Sequence, residues 1–399
     1  MYKCLYGLIS IYVLSALAGT AQEVAIDSAN LLEEVVIDDQ RLYAPDFATA
    51  TAVLDSADLA RYQVSGNLAE ALAGSGLVHY RNYGSSNSLS LPALRGSGSA
   101  HTVLLWEGIP IQSPLTGQTA VNQVSTLAGS SIEVTFAPDV VQSGSGALGG
   151  TIALREQRPD LGFHSQLQAG VGTFATHTIT YRGSHRTERW YAVARVGRTQ
   201  SDNDFTYIDG QGQEKRRIWN KSLQQTYYGQ LHYRLHKGWH IDSKAWIQKD
   251  SVQLPGSTFA AQPPQETQAD WADRFLLTVS QHTDTHQFYG KVGYFNQRMF
   301  YRNPSLNNLV SRNDVQTFFT RWGYIRQLPF GQLDIETNWQ RELTRVSNFD
   351  GRPDRTTMMG KAVWTAPLRK QKIHMRLGLR TEYLPSYTQG LAYETGLEY

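Results

Sequence analysis

One cysteine, Cys4, stands in 399 residues, and it falls inside an N-terminal apolar stretch, so the rest of the chain has no disulfide framework to hold it. Charge is also scarce. Only 18% of residues are charged and the net is +2, too little to argue for nucleic acid or an acidic partner, and no basic run makes up for it. No apolar run after the N-terminus reaches the roughly 18 residues of a transmembrane helix. No Ser-His-acid or metal constellation with usable spacing is present, which ranks an enzyme last among the functions considered. The excess lies in aromatics: 21 Tyr, 14 Phe and 9 Trp make up 11% of the chain, a level that goes with many strands or a membrane interface.

Residues 144–150, "GSGALGG", contain a G-x-G-x-x-G at Gly144, Gly146 and Gly149. A dinucleotide fingerprint needs a buried strand before it, a helix opening at its last glycine and an acidic residue about 20 positions on. Pro138 interrupts the upstream stretch, "TIALREQRPD" downstream alternates like a strand, and position 169 is Ala. The glycines therefore read as a tight turn between two strands.

Four zones follow in order. Residues 1–21, "MYKCLYGLISIYVLSALAGTA", have the Lys3 start, the short apolar stretch and the small-residue end of a secretory signal peptide cleaved near Ala21. Residues 22–61 are polar and acidic with one apolar island, "EEVVIDD", and are expected to be a flexible tether. Residues 62–158 are rich in small residues, with a short helix in "NLAEALAGSG" and strands in "HTVLLWEGIP" and "SIEVTF", and read as a compact α+β domain.

From residue 159 to 399 the chain alternates with period two. Leu231, Tyr233 and Leu235 oppose Gln230, His232, Arg234 and His236; Leu333, Ile335 and Trp339 oppose Asp334, Glu336, Asn338 and Gln340. About twelve such segments of about ten residues are joined by links whose lengths sort by parity, short "HRTE", "HKG", "TDT", "PFG" and "RKQK" interleaving with three long ones. A soluble sandwich has no reason to sort its loops that way. The pattern fits an antiparallel transmembrane β-barrel with apolar residues toward lipid and polar residues toward the lumen.

The stretch from Glu34 to Arg155 resembles the N-terminal half of a TonB-dependent outer-membrane receptor. "EEVVI" resembles the energy-coupling box, "LRGSGSAHTVLLWEGIPIQSP" the R-G segment and the strand ending in D-G-x-P, and "SIEVTFAPDVVQSGSGALGGTI" the signature that closes the plug. The resemblance implies an α+β plug domain followed by a barrel of about 22 strands, of which about twelve are present here. The chain then reads as lacking about ten strands, with a complete smaller barrel as the alternative. The family's D-G is "EG" at Glu107 and Gly108, and its R-G-P is "FAP" at 136–138, so roles tied to those side chains do not carry over. The wording of 95–118 is most similar to the cobalamin-transporter-like branch, which implies a corrinoid ligand, with a ferric siderophore second.

Further roles follow from that resemblance. Glu34, Val35, Val36 and Ile37 would be the TonB box, adding as a strand to TonB and through it to the energising complex of the inner membrane. The plug's outward loops would meet the ligand through Tyr83, Ser85, Ser86 and Asn87 and through Gln112, Ser113, Leu115 and Gln118; ordinary turn chemistry is the alternative. Arg95, Gly96, Glu133, Gly144, Gly146, Gly149 and Gly150 would be structural, Arg95 and Glu133 joining an ionic contact between plug and wall. Membrane lipid is an expected partner and a surface lipoprotein a candidate one.

No cofactor is required. Asp202, Asp204 and Asp209 are calcium candidates without the glycine and distal glutamate of an EF-hand loop. His232, His236 and His240 are spaced for one helix face, but on strands the third lies beyond a turn, which argues against zinc. Import competes with a passive pore or adhesin, which needs neither plug nor coupling box.

Overall fold

The computed structural model describes residues 50–398 apart from 63–66, 83–87, 119, 139, 145, 258–264, 348–350, 352, 369–372 and 386–388. The signal peptide, the TonB-box residues Glu34–Ile37 and the loop residues Tyr83, Ser85, Ser86 and Asn87 lie outside the described residues.

The first domain is built from strands β1 (Thr51–Leu54), β2 (His79–Asn82), β3 (Ser90–Ala93), β4 (Thr102–Trp106), β5 (Ile109–Pro110), β6 (Ser131–Thr135) and β7 (Gly150–Arg155). Helices α1 (Ser56–Arg61), α2 (Leu68–Gly74) and α3 (Val140–Ser143) accompany them. Five strands form a mixed sheet in the order β1-β6-β7-β4-β5, with β4 and β7 parallel and the other pairs antiparallel. Helix α2 begins as its sequence dictates: the Asn67 side chain accepts the Ala69 N–H at 2.7 Å, and Leu68, Ala69, Ala71 and Leu72 turn a buried face to the sheet. Residues 51–61, expected within the tether, instead supply an edge strand and a helix of this domain. Strand β1 pairs with β6 from Thr51 opposite Thr135 to Leu54 opposite Ile132. Alternation was too short there to be seen against the polar segment before it.

The glycine heptapeptide is not a hairpin turn. It leaves α3 and enters β7, the parallel neighbour of β4. Gly150 has φ 132°, and a Cβ there would lie 2.1 Å from the Thr135 carbonyl oxygen; at Gly149 it would lie 2.1 Å from Ser97 Oγ. Glycine is required because backbone from three segments converges on this corner.

The second domain is an antiparallel sheet. Its strands are β8 (Gly162–Gly172), β9 (Thr176–Arg186) and β10 (Trp190–Ser201), then, after a small hairpin of β11 (Thr206–Ile208) and β12 (Glu214–Arg216), β13 (Ser222–Arg234), β14 (Trp239–Leu254) and β15 (Glu266–His282). It continues through β16 (His286–Asn303), β17 (Leu309–Leu328), β18 (Gly331–Val346), β19 (Asp354–Leu368), β20 (Ile373–Tyr383) and β21 (Gln389–Glu398). Twelve strands pair in sequence order, β11 and β12 standing aside, with β8 and β21 at the two edges. Among the fully described connections, those at 187–189, 235–238, 283–285 and 329–330 lie at one end of the sheet, and those at 173–175, 202–221 and 304–308 at the other.

The side chains are sorted inside out, as a lipid-facing wall requires. On β13 Gln224, Thr226 and Gln230 are buried, while Tyr227, Leu231 and Tyr233 are 40%, 55% and 43% exposed. On β20 Arg376 and Arg380 are buried and Leu377 and Leu379 exposed. The inner face closes on the first domain: Trp106 of β4 packs edge-on against Trp246 of β14 with ring centroids 5.6 Å apart and lies 5.9 Å from Phe295 of β16.

Candidate functional site: the seam between plug and wall

The tip of the β4–β5 hairpin carries Glu107 and Gly108, both in the left-handed region, with φ 52° and 78°. Such a two-residue turn favours Asn or Asp followed by Gly, and a glutamate there carries a conformational cost of roughly 1 kcal/mol. Its longer side chain accounts for the choice. Glu107 Oε2 lies 2.6 Å from Lys244 Nζ on β14, and the pair is only 17% and 8% exposed. The Glu107 carbonyl accepts from Lys291 Nζ of β16 at 2.7 Å, and the Gly108 carbonyl from Arg321 of β17 at 2.9 Å. Glu107 Oε1 accepts the Glu156 N–H at 3.0 Å. One hairpin tip thus engages three wall strands and the chain that leaves the plug. The sequence had left Glu107 without a role.

A second acidic residue repeats the arrangement. Glu156 forms a bidentate pair with Arg195 of β10, Oε2 accepting from Nη1 at 2.6 Å, the side chains being 2% and 7% exposed. The plug supplies the anions and the wall the cations. Elsewhere the wall holds plug backbone, Gln224 donating to the Asn122 carbonyl at 3.0 Å and Gln248 accepting the Ser125 N–H at 3.2 Å, and one plug side chain, Lys361 donating to Gln142 Oε1 at 2.7 Å. Each of these contacts breaks if the plug moves, so together they set how firmly the plug is seated.

Arg95 and Glu133 do not bridge plug and wall. Arg95 donates to the Phe136 carbonyl at 2.7 Å and Glu133 pairs with Arg155 at 2.6 Å, both inside the plug. Sheet pairing explains the second: Glu133 and Arg155 sit on β6 and β7, adjacent and antiparallel. Arg95, at φ 51°, and Gly96, at φ 77°, form the tight turn after β3.

The loop that carries Gln112, Ser113, Leu115 and Gln118 is folded on itself. The Ser113 N–H donates to the Gln118 carbonyl at 2.9 Å, the Gly117 N–H to the Ser113 carbonyl at 2.8 Å, and Gln112 Nε2 to the Gly117 carbonyl at 3.2 Å. Leu115 is 43% exposed at its tip. Gln118 joins Arg81, Leu91, Pro92, Ser97 and Ser99 around a cleft of about 140 Å³. Gly146 lies behind the loop, and a Cβ there would sit 3.6 Å from Gln112 Nε2, so the glycine heptapeptide backs the loop. Gly144 leaves α3 at φ 97° beside Arg380.

The calcium candidates do not converge. Asp202 pairs with Lys221 at 3.0 Å, Asp204 with Arg216, and Asp209 with Lys215 at 2.6 Å. The Lys215 ammonium and the Gln213 and Gln211 N–H groups hold the Asp209 carboxyl down at about 2. His236 stays in its turn, but the hairpin folds His240 back so that its Nδ1 lies 3.2 Å from His232 Nε2, with Asp242 3.3 Å from His232 Nδ1. Antiparallel pairing across the turn makes a contact that helical spacing could not anticipate. Among the described residues no group of three His, Cys, Asp or Glu side chains is arranged to hold a metal ion.

Residues 45–151 match the family model of the TonB-dependent Receptor Plug Domain. Among solved structures, the chain is similar to the copper transporter OprC, with 15% identity and a TM-score of 0.67 over 86% of this chain and 60% of that one. It is similar to the ferric enterobactin receptor of Pseudomonas aeruginosa, with 14% identity and a TM-score of 0.68 over 87% and 59%. The ferric yersiniabactin uptake receptor of Yersinia pestis gives 15% and 0.62 over 88% and 61%. The chain thus spans about 60% of the length of these structures.

Proposed function

Proceeding from a chain that carries a TonB-dependent receptor plug domain and the barrel fold of outer-membrane receptors, we propose that the protein imports a large, scarce metal chelate across the outer membrane, with work delivered through TonB. The observation that carries this reading is the plug itself, seated against the wall through Glu107 and Glu156. A passive pore gains nothing from an obstructing domain held by breakable polar contacts.

Residues 1–21 act as a removable signal in this reading, and the tether that follows presents Glu34–Ile37 to TonB. The tether leads into β1, so a pull on it reaches the plug at an edge strand. Gln112, Ser113, Leu115 and Gln118, with Arg81 beside them, face the ligand. The wording of 95–118 supports a corrinoid. The names of the enterobactin and yersiniabactin receptors, whose fold this chain shares, support a ferric siderophore as the second candidate.

Two measurements test the reading. Deleting residues 33–39 is expected to abolish energised uptake while leaving ligand binding intact; uptake unaffected by the deletion sinks the importer. Titration of cyanocobalamin and of a ferric siderophore, followed by tryptophan quenching, is expected to show tight binding of one of them that weakens on changing Gln112 and Ser113 to Ala. Siderophore binding alone discards the corrinoid.

A further inference from the structure

Two aspartates stand side by side on the inner face of the wall, where it meets the plug. Register sets Gln224, Asp250, Asp270 and Met299 in one row across β13, β14, β15 and β16, each directly opposite the next. Residues so opposed on one face have Cβ atoms about 5 Å apart, and like charges at that spacing oppose the pairing. Asp250 is 7% exposed. Its Oδ2 accepts from Gln248 Nε2 at 3.1 Å, and its Oδ1, shut off from solvent, makes no hydrogen bond among the described residues. Asp270 Oδ2 accepts from Gln123 Nε2 of the plug at 2.9 Å and from Gln268 Nε2 at 2.8 Å.

No ion pair offsets this charge among the described residues. Arg274, four residues further along β15, acts on Asp250 from a distance, and its guanidinium lies over the Trp246 ring, 4.1 Å from the centroid. Tyr301, diagonal to Asp270 on β16, accepts from Asn303, which also donates to Glu266. The plug segment against the pair, 122–125, is Asn-Gln-Val-Ser and brings no titratable group. Two buried carboxyls that share a site do not both ionise readily, and the pair retains a proton that belongs to neither alone.

The same side chains clasp the plug. Gln224 holds the Asn122 carbonyl, Gln248 takes the Ser125 N–H and donates to the Gln123 carbonyl, and Asp270 holds the Gln123 side chain. This segment follows closely on the loop that carries Gln112, Ser113, Leu115 and Gln118.

We propose that Asp250 and Asp270 share one proton, held between the open Oδ1 of Asp250 and the Asp270 carboxylate, and that this proton keeps the wall closed on plug residues 122–125. Removing it leaves two facing carboxylates, which part Gln248 from Gln123 and let the segment go. The closed clasp binds a proton that the opened one gives up to water, so closure weakens as pH rises.

The test follows the Ser125 amide by hydrogen exchange in the receptor held in mild detergent, from about pH 6 to about pH 9 and corrected for the intrinsic exchange rate. Protection is expected to fall at least tenfold toward the alkaline end in the parent. In Asp250→Asn it should stay level, because the amide keeps the hydrogen bonds and no second charge can form. Infrared difference spectra give the second readout: the parent near neutral pH should show a protonated-carboxyl C=O band that Asp250→Asn lacks. In the parent alone, band and protection should be lost over one pH range, which keeps the proposal open to refutation if the variant does not fold. Parental pH dependence in the folded variant, a band that outlasts the protection, or a loss that spreads equally to β7 in the middle of the plug sheet overturns it. Protection that tracks added sodium or calcium, with no carboxyl band, overturns it in favour of a metal ion. None of these readings involves transport, so failure here leaves the import proposal standing.

Discussion

Glu107, at the tip of the plug's β4–β5 hairpin, lies 2.6 Å from Lys244 on the barrel wall, with both side chains largely buried. Removing Glu107 leaves the buried Lys244 ammonium with only the more distant Asp242 carboxylate, at 3.5 Å, and the cost stays below the roughly 3–5 kcal/mol of a fully unpaired buried charge. Glu107→Gln is therefore expected to loosen the plug, read as faster hydrogen exchange in β4 and β5. Glu107→Asp separates charge from strain: aspartate suits the turn better but is shorter. Exchange as slow as in the parent would mean that the wall contact counts for little.

Glu156 and Arg195 form the second tie, and it should behave as a unit. Glu156→Leu or Arg195→Met alone is expected to destabilise by about 3–5 kcal/mol, and the double change Glu156→Leu/Arg195→Met by much less, because no unpaired charge remains. Calorimetric melting of the four proteins checks this. Additive losses would show that the pair is not coupled.

The glycine corner predicts a ranking. Gly150→Ala meets the Thr135 carbonyl at 2.1 Å with φ 132°, so both space and backbone oppose it. Gly149→Ala meets Ser97 Oγ at 2.1 Å, whereas at Gly146 the nearest atom is Val103 Cγ2 at 3.2 Å. Loss of melting temperature should fall in the order Gly150, Gly149, Gly146. Adding Ser97→Gly should recover part of the Gly149→Ala loss and none of the Gly150→Ala loss.

The β11–β12 hairpin predicts a pH dependence confined to strong acid. The Asp209 carboxyl is held near 2, below its ordinary 3.8. A depressed carboxylate stabilises the folded hairpin above the ordinary value, and that contribution is lost as pH falls through about 2. Protection of the Gln213 amide, whose N–H donates to Asp209 at 2.9 Å, should persist at pH 4 and decline toward pH 2. In Asp209→Asn that decline should vanish.

Legibility in the sequence followed the range of the interactions. The α2 cap at Asn67 and the two-residue alternation of β13 and β20 are local, and they could be read from neighbouring residues alone. Strand β1 was missed because four residues within a polar stretch carry too little pattern. Glu133 was recognised as charged and in need of a partner, but its partner Arg155 follows only from the pairing of β6 with β7.

The sequence by itself determined the wall and the plug: period-two alternation and parity-sorted links specify a lipid-facing antiparallel sheet, and the motifs between 95 and 155 specify the domain that precedes it. Only the tertiary structure decided the seam and the residues that share a face across strands. Lys244, Lys291 and Arg321 meet the Glu107 hairpin, and Lys249, Arg298 and Arg345 share one surface, because strand register aligns residues far apart in the chain. A shift of register by one residue would turn every one of them to the opposite face.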